Sequence, residues 1–153
     1  MQSTSVKVVA TNRKARFQYE LLELYEAGIA LKGSEIKSVR AGRVNLNDAY
    51  VEIRNGSPWL VNAHIAPYEP SSRFGHEPLR DRRLLLRKSE IRQLGQAVRE
   101  RGLTIVPTQM VLKNGMAKLE IALARGKKVY DKRESIAKRD QEREMSRELK
   151  VGR

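Results

Sequence analysis

The chain contains no cysteine. That excludes disulfides, cysteine-ligated zinc sites and thiol nucleophiles, and it fits a reducing compartment. Aromatic residues make up only 5% of the chain, so a core has to be built from Val, Ile, Leu and Ala. No apolar run approaches the roughly 18 residues of a membrane span. The opening MQSTSVKVVATNRKARF lacks the apolar stretch of a signal peptide. These absences point to a soluble cytoplasmic protein with no membrane partner. The only histidines are His64 and His76. His64 falls inside an expected strand and reads as structural. His76 stands beside Glu77, a pair suited to acid–base work, but neighbours in a loop usually diverge. The chain carries no phosphate-cradling glycine loop, no dinucleotide-binding glycine pattern and no H-E-x-x-H. No catalytic residue, metal or cofactor is expected, and the chain does not read as an enzyme. Acids are also scarce. Asp plus Glu number 18 against 31 Lys plus Arg, giving a formal charge of +13 and a pI near 10.3. Such an excess points to an anionic partner, nucleic acid or a membrane surface. Nucleic acid is favoured, because no basic helix carries a Trp/Phe/Leu face.

What is present reads as one domain with an extension. The 153 residues include a 40% hydrophobic share, enough for a core. Residues 1–11 form a short lead with a small apolar patch, and NRKAR is a basic entry. FQYELLELYEAGIALKG is ambiguous between helix and strand, with strand favoured for its second half because Gly28 breaks a long helix. SEIKSVRAG reads as a short helix capped by Ser34 and closed by Gly42, with Ile36 and Val39 inward and Lys37 and Arg40 outward. DAYVEIRNGSPWLVNAHIAPY reads as a hairpin about Asn55-Gly56, its return strand running unbroken to Ile65. EPSSRFGHEPLRDRR (69–83) is an arginine-loaded loop, and LLL (84–86) a buried strand. Ser89 is expected to cap SEIRQLGQAVRERG, with Gly102 as its stop. A second hairpin turns at Asn114-Gly115, and on its return Leu119, Ile121 and Leu123 face opposite to Lys118 and Glu120.

The fold class expected is mainly β with short helices: about six strands in an antiparallel barrel of the oligonucleotide-binding kind. A simple sandwich is the competing architecture. The domain boundary falls near the last strand, giving a barrel over residues 1–125 and a basic tail over 126–153. Arg73, Arg80, Arg82, Arg83 and Arg87 crowd one loop, and Lys32, Lys37, Arg40 and Arg43 form a second group. An arginine fork can donate two hydrogen bonds to one phosphate. Any one of these residues is as easily mere surface decoration.

The tail, ARGKKVYDKRESIAKRDQEREMSRELKVGR, is almost wholly polar. After Tyr130 its only large apolar residues are Ile136, Met145, Leu149 and Val151. Asp131 and Glu134 form a capping pattern. Arg139, Arg143 and Arg147 recur every four residues, and such like-charge repeats each disfavour an isolated helix by about 0.2–0.5 kcal/mol. Pairs three apart offset them. The segment therefore reads either as a solvated, fraying helix or as one that becomes helical on an anionic partner. Tyr130 either stacks on a base or staples the tail to the barrel.

The words NRKARF, EAGIALKGSEIKSVRAGRVNL, AYV, NAHIAPYE, RFGHEP, RRLLL, GLTIVP, LKNGMAKLEIALARGKK and YDKRESIAKRD occur here in one order. Together they closely resemble the small protein B (SmpB) family, the bacterial SsrA-binding proteins, from about Asn12 to about Lys150. The resemblance implies an oligonucleotide-binding-like barrel and a task, trans-translation. Its implied partners are the tRNA-like domain of transfer-messenger RNA (tmRNA) and the 30S and 70S ribosome. Elongation factor Tu joins through alanyl-tmRNA, and the protein acts as a monomer without breaking any bond. Glu26 in EAG, Leu85 in RRLLL and Lys118 in NGMAK stand at motif positions that support tmRNA binding in the family. With them we group Lys37, Arg40, Arg73, Arg80, Arg82 and Arg83. Gly126, Lys127, Lys128, Tyr130, Asp131, Lys132 and Arg133 match the segment that lies at the 16S rRNA decoding centre. Ile136, Lys138, Arg139, Arg143 and Arg147 belong to the helix that enters the empty mRNA channel. Two positions depart from the pattern. Met116 stands where many relatives carry a basic or bulky side chain, and Tyr130 where some carry histidine.

Overall fold

The computed structural model describes residues 6–67 and 76–126. In chain order the elements are β1 (Val6–Thr11), α1 (Arg13–Gln18), β2 (Tyr19–Ile29), α2 (Gly33–Arg40), β3 (Val44–Asn45), β4 (Tyr50–Arg54), β5 (Ser57–Val61), β6 (His64–Ile65), β7 (Arg82–Leu85), α3 (Lys88–Arg101), β8 (Thr104–Lys113) and β9 (Met116–Gly126).

The hairpin turns follow from their sequence. At β4–β5, Asn55 has φ +49° and Gly56 φ +77°; at β8–β9, Asn114 has φ +51° and Gly115 φ +80°. Asparagine and glycine are the residues that tolerate this left-handed region, and such turns match the twist of the strands they join. The long arms of the second hairpin then carry the alternation expected of them. Leu119, Ile121 and Leu123 are buried, while Lys118 and Glu120 on the other face are only partly covered.

The main sheet runs in the order β1-β8-β4-β5-β7-β2-β9, all pairings antiparallel, and a further β8–β9 pairing joins the last strand back to the second. Six strands thus close into a ring, with β1 attached outside it to β8. Closure removes sheet edges. The expected class stands: an antiparallel barrel with short helices, rather than a sandwich. β3 and β6 make a separate two-stranded sheet. To serve several partners β8 has to bend, and it does so at a bulge between Pro107 and Gln109. Proline has no N–H for the ladder, so a bulge is where a strand tolerates it.

The core inside the ring contains Ile29, Leu60, Leu84, Ile105, Met110, Leu119, Ile121 and Leu123, and α3 adds Leu94 and Ala97. Gly102, at φ +63°, ends α3 in the left-handed conformation, as its place in the sequence suggests. A smaller cluster of Ala15, Val106 and Ala124 lies between α1 and the β8–β9 wall.

Several local expectations are corrected. Ser34 and Ser89 are not caps; the N-cap positions are Lys32 and Arg87. There the carboxylates of Glu35 and Glu90 accept from the Lys32 and Arg87 backbone N–H. In FQYELLELYEAGI the strand begins at Tyr19 and so takes in most of the first half as well as the second, while Phe17 and Gln18 end α1. The return strand β5 does not run to Ile65. Asn62 at φ +64° interrupts it and shifts the inward positions from Pro58 and Leu60 to Ala63 and Ile65. NRKARF holds helix α1, capped by Asn12, whose Oδ1 accepts from Ala15 N–H at 3.0 Å. Asn12 is buried; its Nδ2 donates to the Pro107 carbonyl at 2.7 Å and its backbone N–H to the Thr108 carbonyl at 2.7 Å. One side chain therefore starts the helix and ties it to the bulge. Asn12→Ala should cost about 1–3 kcal/mol, the loss of a cap plus an orphaned buried carbonyl. A urea denaturation midpoint unchanged from that of the parent chain would contradict this.

Candidate nucleic-acid interface

Three residues far apart in sequence meet on the outer wall of the barrel. Strand β2 lies between β7 and β9, and in its register Gly28 faces Leu85 on one side and Lys118 on the other. Glu26 is two residues back on the same face of β2. Leu85 is 57% exposed, so reading LLL as buried is corrected at that position: β7 alternates, with Arg82 and Leu84 in and Arg83 and Leu85 out. A Cβ on Gly28 would stand 3.2 Å from the Leu85 Cβ. Leu85 therefore leans over the glycine, which leaves it the room.

Glu26 pairs with Lys113 across the wall and lies directly opposite Glu120. Like charges placed so repel. The arrangement offsets this by giving each carboxylate a separate donor: Lys113 for Glu26, and the Thr108 hydroxyl for Glu120. Leu24, Glu26, Val111, Lys113, Lys118 and Glu120 help line a cleft of about 240 Å³. It offers two ammonium groups for phosphates, carboxylates for base N–H groups and apolar walls. Burial, then the hydrogen bond to Glu23, raises the pKa of Tyr25 at its edge. Sequence reading passed over Lys113, which stands beside the Asn114-Gly115 turn with no signal of its own.

Arginine 82 requires a correction. It is fully buried, and its Nε donates to Glu35 Oε2 at 2.6 Å. Nη1 donates to the Ala63 carbonyl at 2.7 Å and Nη2 to the Pro78 carbonyl at 3.1 Å. Its side chain is spent inside the fold and cannot reach a phosphate. Arg80, whose side chain is 28% exposed, donates from Nη2 to Glu35 Oε1 at 2.5 Å. Burial pushes the Glu35 carboxyl up, but bonds from Arg80, the Lys32 N–H and Arg82 outweigh it and hold its pKa below the ordinary value. Burial likewise pulls Arg82 down, against the bond to Glu35 that raises it. This network fastens the start of β7 to α2, and so fixes where Arg83 and Leu85 emerge.

Lys37 and Arg40 are exposed on α2 as expected. Arg83 is exposed on β7, and Gly126 is the exposed last residue of β9, opposite Tyr19. Arg73, Lys127, Lys128, Tyr130, Asp131, Lys132, Arg133, Ile136, Lys138, Arg139, Arg143 and Arg147 lie outside the described residues. His76 does not pair with Glu77. It is buried, with Nε2 donating to the Ile65 carbonyl at 2.8 Å and Nδ1 against the Ser34 hydroxyl at 2.9 Å. His64, read as structural, is exposed on β6.

The family model described as SmpB protein matches residues 9–151. A relative from Thermosynechococcus vestitus, named SsrA-binding protein, is 54% identical over 147 residues, which cover 95% of this chain and 97% of its own. Another of the same name, from Carboxydothermus hydrogenoformans, is 56% identical over 145 residues with the same two coverages. A solved structure described as "tmRNA-SmpB: a journey to the center of the bacterial ribosome" matches with a TM-score of 0.68 and 46% identity, over 84% of this chain and 94% of that one. With the family pattern running through nearly the whole sequence and a solved relative sharing its barrel, this chain belongs to the SmpB family.

Proposed function

We propose that this chain binds tmRNA and serves trans-translation, the rescue of ribosomes stalled on messages without a stop codon. The observation that carries the reading is the meeting of Glu26, Leu85 and Lys118 around Gly28 on one outer face. Its support is the shared name of the relatives, SsrA-binding protein, and the tmRNA complex of the solved neighbour. On this face Lys118 meets phosphate, Leu85 supplies an apolar contact, and Glu26 holds Lys113 in place. Lys37, Arg40, Arg80 and Arg83 add to the field, which steers a polyanion to the surface. The barrel holds the tRNA-like domain of tmRNA, and alanyl-tmRNA comes to the ribosome with elongation factor Tu. The tail from Gly126 onward stands in for the codon–anticodon pairing that tmRNA cannot make. Residues 126–133 occupy the decoding centre, and Ile136, Lys138, Arg139, Arg143 and Arg147 follow as a helix in the empty mRNA channel. The protein works as a monomer and itself makes no bond.

The experiment is a salt series. Lys118→Ala should weaken tmRNA binding several-fold and make the slope of log affinity against log salt shallower by about one unit, the share of one phosphate. An unchanged slope would take Lys118 off the RNA.

A further inference from the structure

The chain has a single tryptophan, Trp59, and in a protein with a 5% aromatic share it would be expected inside. It is not part of either hydrophobic cluster. Along β5 the inward positions are Pro58 and Leu60; Trp59 lies on the outer face, partly exposed. Its register partners lie on the two flanking strands: Glu52 on β4 and Arg83 on β7. Tyr50, 42% exposed, shares the outer face of β4 and stands diagonally to Trp59, about 7–8 Å away by ordinary strand spacing.

The cations on this face differ. Arg54 is held by Glu52 at 3.2 Å and Asp81 at 2.7 Å, and those bonds raise its pKa. Arg83 is exposed, and its side chain makes only one hydrogen bond among the described residues, to Ser57 Oγ at 3.5 Å. It is the guanidinium available to an incoming anion. The face is also continuous with the one described above. Arg83 and Leu85 are two residues apart on β7 and point the same way, about 7 Å from each other. From Trp59 the register leads through Arg83 and Leu85 to Gly28 and on to Lys118.

We propose that the outer face of β4, β5 and β7 is a second part of the RNA interface, in which Trp59 is a stacking platform for an unpaired nucleobase and Arg83 meets the adjoining phosphate. An aromatic face beside a cation is what a single-stranded nucleotide needs, because every base has a π-face and every linkage a charge. Tyr50 offers a second ring to the neighbouring base. A barrel of this type commonly presents an outer strand face to oligonucleotides. The proposal rests on the reading of the Leu85–Lys118 face as RNA-binding and extends it to a site of stated chemistry. If Trp59 served only to cover the barrel wall, RNA would leave its surroundings unchanged.

Because Trp59 is the only tryptophan, its fluorescence in the full chain reports on this one position. The probe is the tRNA-like domain of tmRNA carrying a dye, so that dye anisotropy follows complex formation independently of the protein signal. Tryptophan emission should be quenched in step with the anisotropy and saturate at the same RNA concentration. A fully paired RNA duplex should give far less quenching at equal occupancy. Trp59→Ala should weaken binding roughly 5- to 150-fold, the range expected for loss of one stacked base, and Trp59→Phe should recover most of it. Arg83→Ala should weaken binding and make the salt slope shallower by about one unit. Should Trp59→Ala fail to fold, the emission of the unaltered chain still decides. Anisotropy that reports a complex while emission stays constant would overturn the proposal and leave the tmRNA reading standing. Equal quenching by the duplex would also overturn it. An absence of any complex would overturn both.

Discussion

Glu35→Ala should destabilise the protein by about 3–5 kcal/mol, the cost of leaving a buried charge without its partner. Glu35 is fully buried and accepts from Arg80, Arg82 and the Lys32 N–H. Arg82 is equally buried, and its guanidinium stays charged. Three backbone carbonyls, of Ala63, Glu77 and Pro78, would remain its near neighbours, but none carries a full charge. A typical domain has about 5–15 kcal/mol to lose, so the variant should unfold at a much lower urea concentration. Replacing both partners, Glu35→Leu with Arg82→Met, should cost less than Glu35→Ala alone, because no ion is then left unpaired. Acid should reproduce part of the effect. The carboxyl titrates below its ordinary value in the folded chain, so its contribution is fully present above the unfolded value of about 4.3. That contribution is lost as pH falls through the folded value. Glu35→Gln should remove this part of the acid sensitivity. A loss below about 1 kcal/mol for Glu35→Ala would show that the network contributes little.

Deleting residues 131–153 should abolish tagging of the nascent chain while leaving tmRNA affinity within about twofold, a change under half a kcal/mol. The face proposed to hold tmRNA lies wholly before the deleted segment. Among the described residues the clustered core lies between Val9 and Ala124, and β9 closes the ring by pairing with both β2 and β8 before it ends at Gly126. The deleted stretch has only Ile136, Met145, Leu149 and Val151 as large apolar residues, too few to cover a face of the wall. Its charge suits an RNA partner, as the role proposed for it on the ribosome requires. Equilibrium binding and a tagging assay on the same preparation separate the two roles. Lost tmRNA binding by the shortened chain would show that they have been divided wrongly.

How far the sequence carried these conclusions depended on whether the signal was local. Both Asn-Gly hairpins were legible because positive φ is a property of the two turn residues themselves. The stop of α3 at Gly102 was legible for the same reason. The outward direction of Lys118 followed from simple alternation with Leu119 and Ile121. Elsewhere the deciding interaction was distant. Helix α1 is six residues long, with Ala15 its one buried residue, and is fixed by Asn12 reaching across to Pro107; nothing in NRKARF announces that contact. Arg82 looked like its loop neighbours until Glu35, 47 residues away, proved to be its partner. Leu85 was misread because a three-residue apolar run carries no phase: one step of register separates core from surface. Asn62 hid a break in the β5 strand, since an asparagine is compatible with either extended or left-handed backbone. The meeting of Glu26, Leu85 and Lys118 is a consequence of β2 lying between β7 and β9, a strand order that alternation alone cannot supply. The resemblance named those three residues; the register explains why they lie together.

The most direct test of the central claim is a competition assay at near-physiological salt. Labelled tRNA-like domain of tmRNA, bound to the full chain, is challenged with excess unlabelled elongator tRNA. Specific recognition by the Leu85–Lys118 face predicts that the complex persists. Displacement by tRNA as effective as by unlabelled tmRNA would contradict it, and would reduce the interaction to the attraction of a +13 protein for any RNA.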